Sequence, residues 1–270
     1  MRMLDTGVRV GEYARSMRNT LSRVAGPYVE EIAAVAAELA RRGWAEANAG
    51  NISVRVEAPE FTGAQARLPS ARRALAGRSL LVKRTGARMR DIARNPVAGL
   101  CLVRFAADGL SYRIVPADAE PSTELPSHLA VHDALIRHRP RDTAVLHTHP
   151  TATIAVSLLM GSRELVPLLA RMHSEGPLFI HGRVAAIGFQ PPGSEQLARA
   201  TAAALRSVSG VIWPCHGMIA TGPGFAAALD IIEVVDKAAT IALSLGERKM
   251  LSAGLTFAQE MSVREAFGRD

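Results

Sequence analysis

The sequence has little of what marks several specialised protein classes. Aromatic residues make up 4% of its 270 residues, and its two cysteines, Cys101 and Cys215, are too few for a disulfide framework. The most apolar stretches, 153–160 and 178–187, are interrupted well before the roughly 18 residues that a membrane span needs. These absences exclude a disulfide-stapled secreted domain and predict no association with a membrane.

The N-terminal segment MRMLDTGVRVGEYARSMRNT lacks the apolar core of about 7–15 residues that a secretory signal contains. Asp5 and Glu12 also argue against a transit peptide, which is poor in acidic residues. We therefore expect a cytoplasmic protein.

Lysine is scarce, although the chain is basic. Lysine and arginine together number 32 against 25 acidic residues, which gives a net charge of +7, but only Lys83, Lys237 and Lys249 are lysines. The arginines are scattered in ones and twos, without interleaved aromatic residues or a cysteine–histidine finger. We therefore expect no nucleic-acid partner and interpret the positive charge as a solvated face or as attraction for an anionic substrate.

The hydrophobic and charged fractions, 48% and 21%, are ordinary for a globular enzyme, and the length favours one domain. We expect an extension over residues 1–25 and a single domain over 26–270. Pro27 predicts the start of a helix and Gly43 its end. Residues 58–78 are expected to be a surface insertion.

The remaining hydrophobic pattern predicts short strands separated by helices. Strands are expected at Ile52–Val56, Leu80–Val82, Leu100–Phe105, Tyr112–Val115, Ala144–His147, Val184–Phe189 and Val211–Trp213. Helices are expected at Ser122–Arg137, Thr153–Met160, Gly193–Val208 and Phe225–Leu245. Several strands are close enough in sequence to pair antiparallel, so the pattern favours a mixed sheet flanked by helices. No glycine-rich nucleotide loop follows any strand.

The strongest local signal is His147-Thr148-His149-Pro150 at the end of a predicted strand. Residues two apart in a strand project to the same side, so both imidazoles can chelate one divalent metal. Catalytic zinc sites generally use three protein ligands. The candidates for the third are His128, His132, His138, His173, His181 and His216. His216 is the best placed, because it follows a strand and precedes Gly217, where backbone can approach closely, while His181 stays open.

Two carboxylates accompany these histidines. Glu124 lies at a helix start within Pro121-Ser122-Thr123-Glu124, where Ser122 or Thr123 can cap the helix or the same groups can hold an anion beside a metal. Glu175, in a His-Ser-Glu-Gly loop, would by itself be a surface residue.

Five motifs occur in one order: AGNISVR, the Thr-Gly after LLVKR, PSTE followed by LPSH, HTHP, and CHGMIATG. Together they resemble the class II aldolase/adducin-type family of metal-dependent sugar-phosphate aldolases, over about residues 43–268. The resemblance implies a three-layer αβα sandwich around a central mixed, largely antiparallel sheet. It also implies a homotetramer with sites near subunit interfaces.

The resemblance assigns roles to particular residues. It makes His147, His149 and His216 the ligands of one Zn²⁺ per subunit, with Mn²⁺ as an alternative, and makes Glu124 and Glu175 catalytic carboxylates. It implies substrate and phosphate contacts from Asn48, Asn51, Thr85, Gly86, Ser122 and Thr123. The implied reaction is reversible cleavage of a ketose 1-phosphate resembling rhamnulose 1-phosphate. The products would be dihydroxyacetone phosphate and a hydroxyaldehyde such as lactaldehyde.

One departure keeps alternatives open. Ala87 stands where such aldolases have a serine that reaches the phosphate; Arg84 or Arg88 could compensate, or the substrate could lack phosphate. The alternatives are a decarboxylase or aldolase of the same fold acting on a non-phosphorylated keto acid, and a non-catalytic adducin-like interaction module. An epimerase is disfavoured, because those enzymes use a late tyrosine and the tyrosines here are Tyr13, Tyr28 and Tyr112.

Overall fold

The computed structural model describes residues 19–268, apart from the side chain of Glu247. Its strands are β1 (Asn51–Val56), β2 (Ala64–Arg67), β3 (Ser79–Lys83), β4 (Leu100–Phe105), β5 (Ser111–Val115), β6 (Ala144–Thr148), β7 (Val184–Ala186), β8 (Gly210–Trp213) and β9 (Gly217–Gly222). Its α-helices are α1 (Val29–Arg42), α2 (Met89–Ile92), α3 (Leu125–His138), α4 (Thr151–Leu159), α5 (Ser162–Ala170), α6 (Gly176–Phe179), α7 (Glu195–Ala204), α8 (Phe225–Met250) and α9 (Phe257–Ala266). Short 3₁₀ turns cover Gly26–Tyr28, Arg73–Leu75 and Val97–Gly99.

The strands form one sheet in the order β2-β5-β4-β3-β1-β6-β9-β8-β7. Neighbours are antiparallel except for the parallel pair β7 and β8. The predicted mixed, largely antiparallel sheet is therefore confirmed. The order places β1 and β6 side by side at the centre, with Asn51 opposite His147.

Both faces of the sheet are covered by helices. Along β6, Ala144 and Leu146 join a core cluster that includes apolar residues of α1 and α8, whereas Val145 joins a second cluster with residues of α3 and α7. Because neighbouring side chains point to opposite faces, a strand buried on both sides reads as a continuous apolar run. This arrangement is the predicted three-layer αβα sandwich.

A helical segment that the sequence did not predict precedes the first predicted helix. The helix predicted from Pro27 to Gly43 is present, and Gly43 ends it in the left-handed conformation with φ of 70°. Residues 19–25 are also helical, however, and Leu21 and Ala25 are buried in the main core. The rest of the predicted N-terminal extension, residues 1–18, lies outside the described residues.

Other differences concern short or weakly patterned elements. Residues 58–78 are not only surface: they contain β2, which pairs with β5 at the sheet edge, and the buried Phe61 and Leu75. The strand expected at 184–189 ends at Ala186. The sequence pattern did not predict β9, α2, α5, α6 or α9.

No helix among residues 19–268 is both long and apolar enough to cross a membrane.

Candidate metal centre and its cavity

Three histidines meet at one end of the central strands. His147 is in β6 and His149 follows it, while His216 lies in the turn between β8 and β9. Nε2 of His147 and Nε2 of His149 are 3.2 Å apart, and one nitrogen from each of the three rings lies within 4.8 Å of the others. Among the described residues, this is the one cluster of at least three histidine, cysteine or carboxylate side chains with such a spacing.

Hydrogen bonds orient two of these rings. Nδ1 of His147 donates to the carbonyl of Met218 over 3.0 Å, and Nδ1 of His149 donates to a carboxylate oxygen of Glu46 over 2.7 Å. In a neutral imidazole a donating Nδ1 leaves the lone pair on Nε2. Both Nε2 atoms are therefore ready to ligate, and the outer hydrogen bonds are those that metal-bound histidines usually make.

The surroundings of His147 and His216 favour the neutral form of these two rings. Burial, followed by the charges of His149 and His216, lowers the pKa of His147 well below 6.5. Burial and the neighbouring His149 lower the pKa of His216 to about 4. Metal ions bind the neutral imidazole, so depressed pKa values favour binding at neutral pH.

The backbone on either side of His216 allows this third histidine to lie close to the other two. Cys215 adopts a positive φ of 62°, and Gly217 follows His216 at the start of β9. A Cβ on Gly217 would lie 2.4 Å from the carbonyl oxygen of Thr148 and 3.1 Å from the His149 ring. Only glycine fits here, which confirms the close approach predicted from the His-Gly pair.

Glu124 lies beside the histidines. It is buried, and its Oε1 is 4.0 Å from Nε2 of His216. Burial raises the pKa of Glu124 above 4.5, opposed by the backbone N–H of Gly193 and the charge of His149. The helix cap expected from Ser122 or Thr123 is absent, because α3 begins after Glu124 and no side chain caps it. The Ser122 hydroxyl instead accepts a hydrogen bond from the backbone N–H of Glu124 over 3.2 Å.

These groups line one cavity of about 380 Å³. Its walls consist of residues from the β1 loop, the end of β3, the approach to α3 and the histidine turn: Glu46, Ala47, Asn48, Ala49, Gly50, Asn51, Lys83, Thr85, Ser122, Thr123, Glu124, His147, His149 and His216. Oδ1 of Asn51, Oε2 of Glu124 and Nδ1 of His216 are buried and have no hydrogen-bond partner among residues 19–268. Such polar atoms at a cavity wall are suited to bind a polar ligand.

The structure brings most of the predicted site residues together and leaves two outside. Asn48, Asn51, Thr85, Ser122 and Thr123 line the cavity, whereas Gly86 does not, although it adjoins Thr85. Glu175 also lies outside the lining; it is exposed directly before α6. Its backbone N–H donates to Nδ1 of His173.

The other histidines that the sequence left open have different surroundings. His128 and His132 are fully buried and bridged by the Ser53 hydroxyl, at 2.6 Å from Nδ1 of His128 and 2.8 Å from Nε2 of His132. His181 is exposed and does not belong to the cluster formed by His147, His149 and His216. The arrangement favours His216 as the third ligand.

Two charged residues of this cavity, Glu46 and Lys83, were not among the site residues predicted from the sequence. Glu46 orients His149 through a hydrogen bond. The sequence feature that could have indicated Glu46 is its place in the loop GWAEANAGN. The same loop contacts the end of β6, because the backbone N–H of His149 donates to the carbonyl of Trp44. The pKa of Glu46 is raised by burial but lowered more by the hydrogen bond from His149 and a backbone hydrogen bond, and it stays below 4.5. Lys83 points into the cavity although it lies in a buried strand.

The chain is similar in sequence to proteins of a known family. Residues 30–243 match the family described as "Class II Aldolase and Adducin N-terminal domain". The chain belongs to this family. Its match to rhamnulose-1-phosphate aldolase from Bacteroides thetaiotaomicron is 33% identical over 255 residues, covering 87% of this chain and 93% of the relative.

Two further relatives support the assignment. The rhamnulose-1-phosphate aldolase of Listeria welshimeri is 29% identical over 235 residues, covering 81% of this chain and 84% of the relative. The crystal structure of a sugar-phosphate aldolase from Thermotoga maritima matches with a TM-score of 0.72 and 33% identity, covering 81% of this chain and 96% of that one. The chain is a class II aldolase, a carbon–carbon lyase of a metal-dependent family, and its three-histidine cluster fits a divalent metal.

Proposed function

We propose that this aldolase is zinc-dependent and reversibly cleaves a ketose 1-phosphate, with rhamnulose 1-phosphate as the first candidate. The products would be dihydroxyacetone phosphate and a hydroxyaldehyde such as lactaldehyde. The observation that carries this proposal is the single cavity that combines three histidines, a buried carboxylate and neutral hydrogen-bonding groups. The two relatives that are named rhamnulose-1-phosphate aldolase support the choice of sugar.

His147, His149 and His216 would hold the metal, one Zn²⁺ per subunit, with Mn²⁺ as the second candidate. A bound divalent ion supplies Lewis-acid stabilisation of the negative charge that develops on a substrate oxygen when the carbon–carbon bond breaks. Two of these histidines are already oriented by Met218 and Glu46, so little reorganisation is needed.

Glu124 would exchange protons with the substrate. Its carboxylate faces the cavity beside His216, and burial raises its pKa toward the range in which a carboxyl group both accepts and donates a proton. In cleavage it would take the proton of the hydroxyl next to the breaking bond. Returning a proton to the carbon left behind would complete the reaction.

The neutral groups of the cavity would hold the rest of the sugar phosphate. We propose that Asn48, Asn51 and Thr85, together with Gly86, Ser122 and Thr123, bind its hydroxyl and phosphate oxygens. Oδ1 of Asn51 is a buried acceptor suited to a sugar hydroxyl.

We also propose a homotetramer in which Glu175 reaches the cavity of a neighbouring copy. Glu175 is exposed and lies outside the cavity of its own chain, so it can contribute to catalysis only if another subunit carries it there. Exposed apolar side chains at Leu158, Leu159 and Phe189 are compatible with such contacts between copies.

The state of the two cysteines is informative about the cellular compartment of the protein. Cys101 is buried in β4 and Cys215 is exposed beside His216, and both are free thiols. Free thiols are typical of reducing compartments, and we propose the cytoplasm.

The substrate is tested by a coupled assay for dihydroxyacetone phosphate across a panel of ketose 1-phosphates, using zinc-loaded protein. We expect turnover with rhamnulose 1-phosphate and little with its stereoisomers. Turnover of a non-phosphorylated keto acid, with none of any phosphorylated ketose, would overturn the choice of substrate.

The shared site is tested by mixing two inactive variants, Glu124→Gln and Glu175→Gln, after dissociating and reassembling the subunits. If one subunit supplies Glu124 and its neighbour Glu175, mixed assemblies regain part of the wild-type activity. Absence of any recovery in assemblies shown to be mixed by mass spectrometry would contradict the proposed role of Glu175.

A further inference from the structure

A second cavity lies at the other end of the central strands from the three histidines. In β1, Asn51 lines the metal cavity, whereas Arg55 lines the second one. In β3, which is antiparallel to β1, Lys83 lines the metal cavity and Ser79 the second one. Four residues of extended strand span about 13 Å, so the two cavities are separate sites.

Three arginines line this second cavity, which we call the arginine cavity. Arg55 is in β1, Arg78 directly precedes β3 and Arg104 is in β4. The cavity has a volume of about 400 Å³, within the range of about 300–1,000 Å³ that is typical of small-molecule sites. These arginines belong to the excess of positive charge that neither the fold nor the reaction explains.

Two of the three guanidinium groups have no carboxylate partner. Among residues 19–268, no carboxylate oxygen lies within 4.0 Å of Arg55 or Arg78. Nη2 of Arg55 donates to the carbonyl of Pro140, but its Nη1 is buried and has no hydrogen-bond partner in the described part of the chain. Burial, and then the charge of Arg78, lowers the pKa of Arg55, although Asp142 opposes this. A bound anion would satisfy the unused donor and offset the repulsion between the two cations.

The remaining charges leave the arginine cavity positive. Nη2 of Arg104 lies 3.5 Å from a carboxylate oxygen of the exposed Glu60. Glu57 also lines the cavity and is exposed; burial, and then the charge of Glu57, raises the pKa of Tyr28. Three guanidinium groups therefore face two exposed carboxylates. Guanidinium groups match the oxygen atoms of a phosphate group in charge and in geometry.

We propose that the arginine cavity binds a phosphate group, free or carried by a small metabolite, through Arg55 and Arg78. This site is distinct from the metal cavity and does not depend on the proposed reaction. The structural alternative is that Arg55 and Arg78 only hold backbone carbonyls, those of Pro140 and Ala74 respectively.

Four variants separate the alternatives. Arg55→Gln and Arg78→Gln each remove one cation from the arginine cavity. Arg206→Gln is the matched control, because it removes the same charge from an exposed arginine outside both cavities. Glu57→Gln removes a negative charge from the arginine cavity and should have the opposite effect. Binding of inorganic phosphate is measured by calorimetry on zinc-loaded protein, after zinc analysis has shown the same metal content in all variants.

We expect the wild type and Arg206→Gln to bind one phosphate per chain that the two cavity variants bind more weakly. The loss should be at least about tenfold in Arg55→Gln and about three- to tenfold in Arg78→Gln, whose side chain is exposed. Glu57→Gln should bind this phosphate at least as tightly as the wild type. Phosphate bound only in the metal cavity would be unaffected by all four changes.

Phosphate affinity and stoichiometry within about twofold of the wild type in both Arg55→Gln and Arg78→Gln would overturn the inference. A wild type that binds no phosphate would also overturn it. If circular dichroism shows that Arg55→Gln does not fold, the exposed Arg78 decides, and the same twofold limit applies to Arg78→Gln alone.

A second titration with glycerol 1-phosphate distinguishes the two sources of the phosphate group. Tighter binding of the ester than of inorganic phosphate, lost in Arg78→Gln, would assign the site to a phosphorylated metabolite. Equal or tighter binding of inorganic phosphate, lost in the same variant, would assign it to the free ion. If neither ligand responds to the arginine substitutions, the site does not exist.

Discussion

Two groups of histidines lie in the interior of this molecule, and they differ in what surrounds them. His128 and His132 are joined through the Ser53 hydroxyl and do not line the cavity, whereas His147, His149 and His216 converge at its wall. Burial lowers the pKa of residues in both groups. Histidine spacing alone is compatible with metal binding in both groups. Access to the cavity and the outer hydrogen-bond partners distinguish the metal site from the core contact.

The largest effect on activity is expected when one histidine is removed from the group formed by His147, His149 and His216. His216→Ala removes one of three ligands, so we expect metal-dependent activity to fall to background. His132→Gln is the matched change in the other group and should keep most of the activity. Activity assays in the presence of excess zinc check this, and equal losses in both variants would erase the distinction.

The Glu124→Gln substitution should have the next largest effect on activity. The amide can neither accept the substrate's proton nor return it, so kcat should fall by about 10²- to 10⁴-fold. Metal content should stay at the wild-type level, because the histidines are intact. A kcat within about threefold of the wild type would remove Glu124 from the proton transfer.

Glu46→Gln tests the outer hydrogen bond of His149. Loss of the carboxylate partner should weaken metal binding by about 10- to 100-fold, as measured by competition with a chelator. Glu57→Gln, an exposed change outside the cavity, serves as the control. Unchanged affinity in Glu46→Gln would show that His149 needs no orienting partner.

The Ser53 bridge predicts an effect on stability instead. Ser53→Ala leaves Nδ1 of His128 and Nε2 of His132 without their shared hydroxyl, so we expect a loss of about 1–3 kcal/mol in the free energy of unfolding. Ser244→Ala, at an exposed serine of α8, should change it by less than about 0.5 kcal/mol. Denaturant unfolding measures both, and equal values would contradict a structural role for the bridge.

The smallest effect concerns pH. Burial, and then the charge of Lys83, lower the pKa of His128 to about 3, against 6.5 for an ordinary histidine. Below about pH 6.5 the unfolded chain therefore binds a proton that the folded chain does not, and the free energy of unfolding falls as the pH falls. The expected contribution is about 1 kcal/mol per pH unit for this histidine.

The measurement compares wild type and His128→Gln, both stripped of metal, between about pH 7 and 5. The variant should lose less stability on acidification than the wild type. Identical slopes would indicate that His128 takes up its proton in the folded state.

The sequence pattern predicted the centre of the fold and the His147–His149 pair, whereas the choice of His216 over His181 as the third histidine came from the family resemblance. The run into His147 is apolar and ends at a proline, and the His216-Gly217 pair follows another apolar run, so both strand ends could be located. The elements that were missed have weaker signals. β9 is buried on all its residues and begins directly after the histidine turn, so it offers neither alternation nor a separating turn, and β2 is a four-residue edge strand.

The two charged residues of the cavity that were missed, Lys83 and Glu46, could not be predicted for a different reason. Charged side chains are normally exposed, so a pattern analysis places both Lys83 and Glu46 at the surface. Lys83 is buried because the end of β3 meets the cavity wall, and Glu46 acts because its loop folds against the end of β6. Both facts depend on tertiary contacts between segments distant in sequence.

Metal analysis can separate the two groups of histidines. We assign the metal to His147, His149 and His216 and not to the pair beside Ser53. Wild type, His216→Ala and His132→Gln are purified without chelator, incubated with zinc and desalted. We expect close to one zinc per chain in the wild type and in His132→Gln, and almost none in His216→Ala. A wild type that takes up no zinc, or a His216→Ala variant that retains it fully, would contradict the claim.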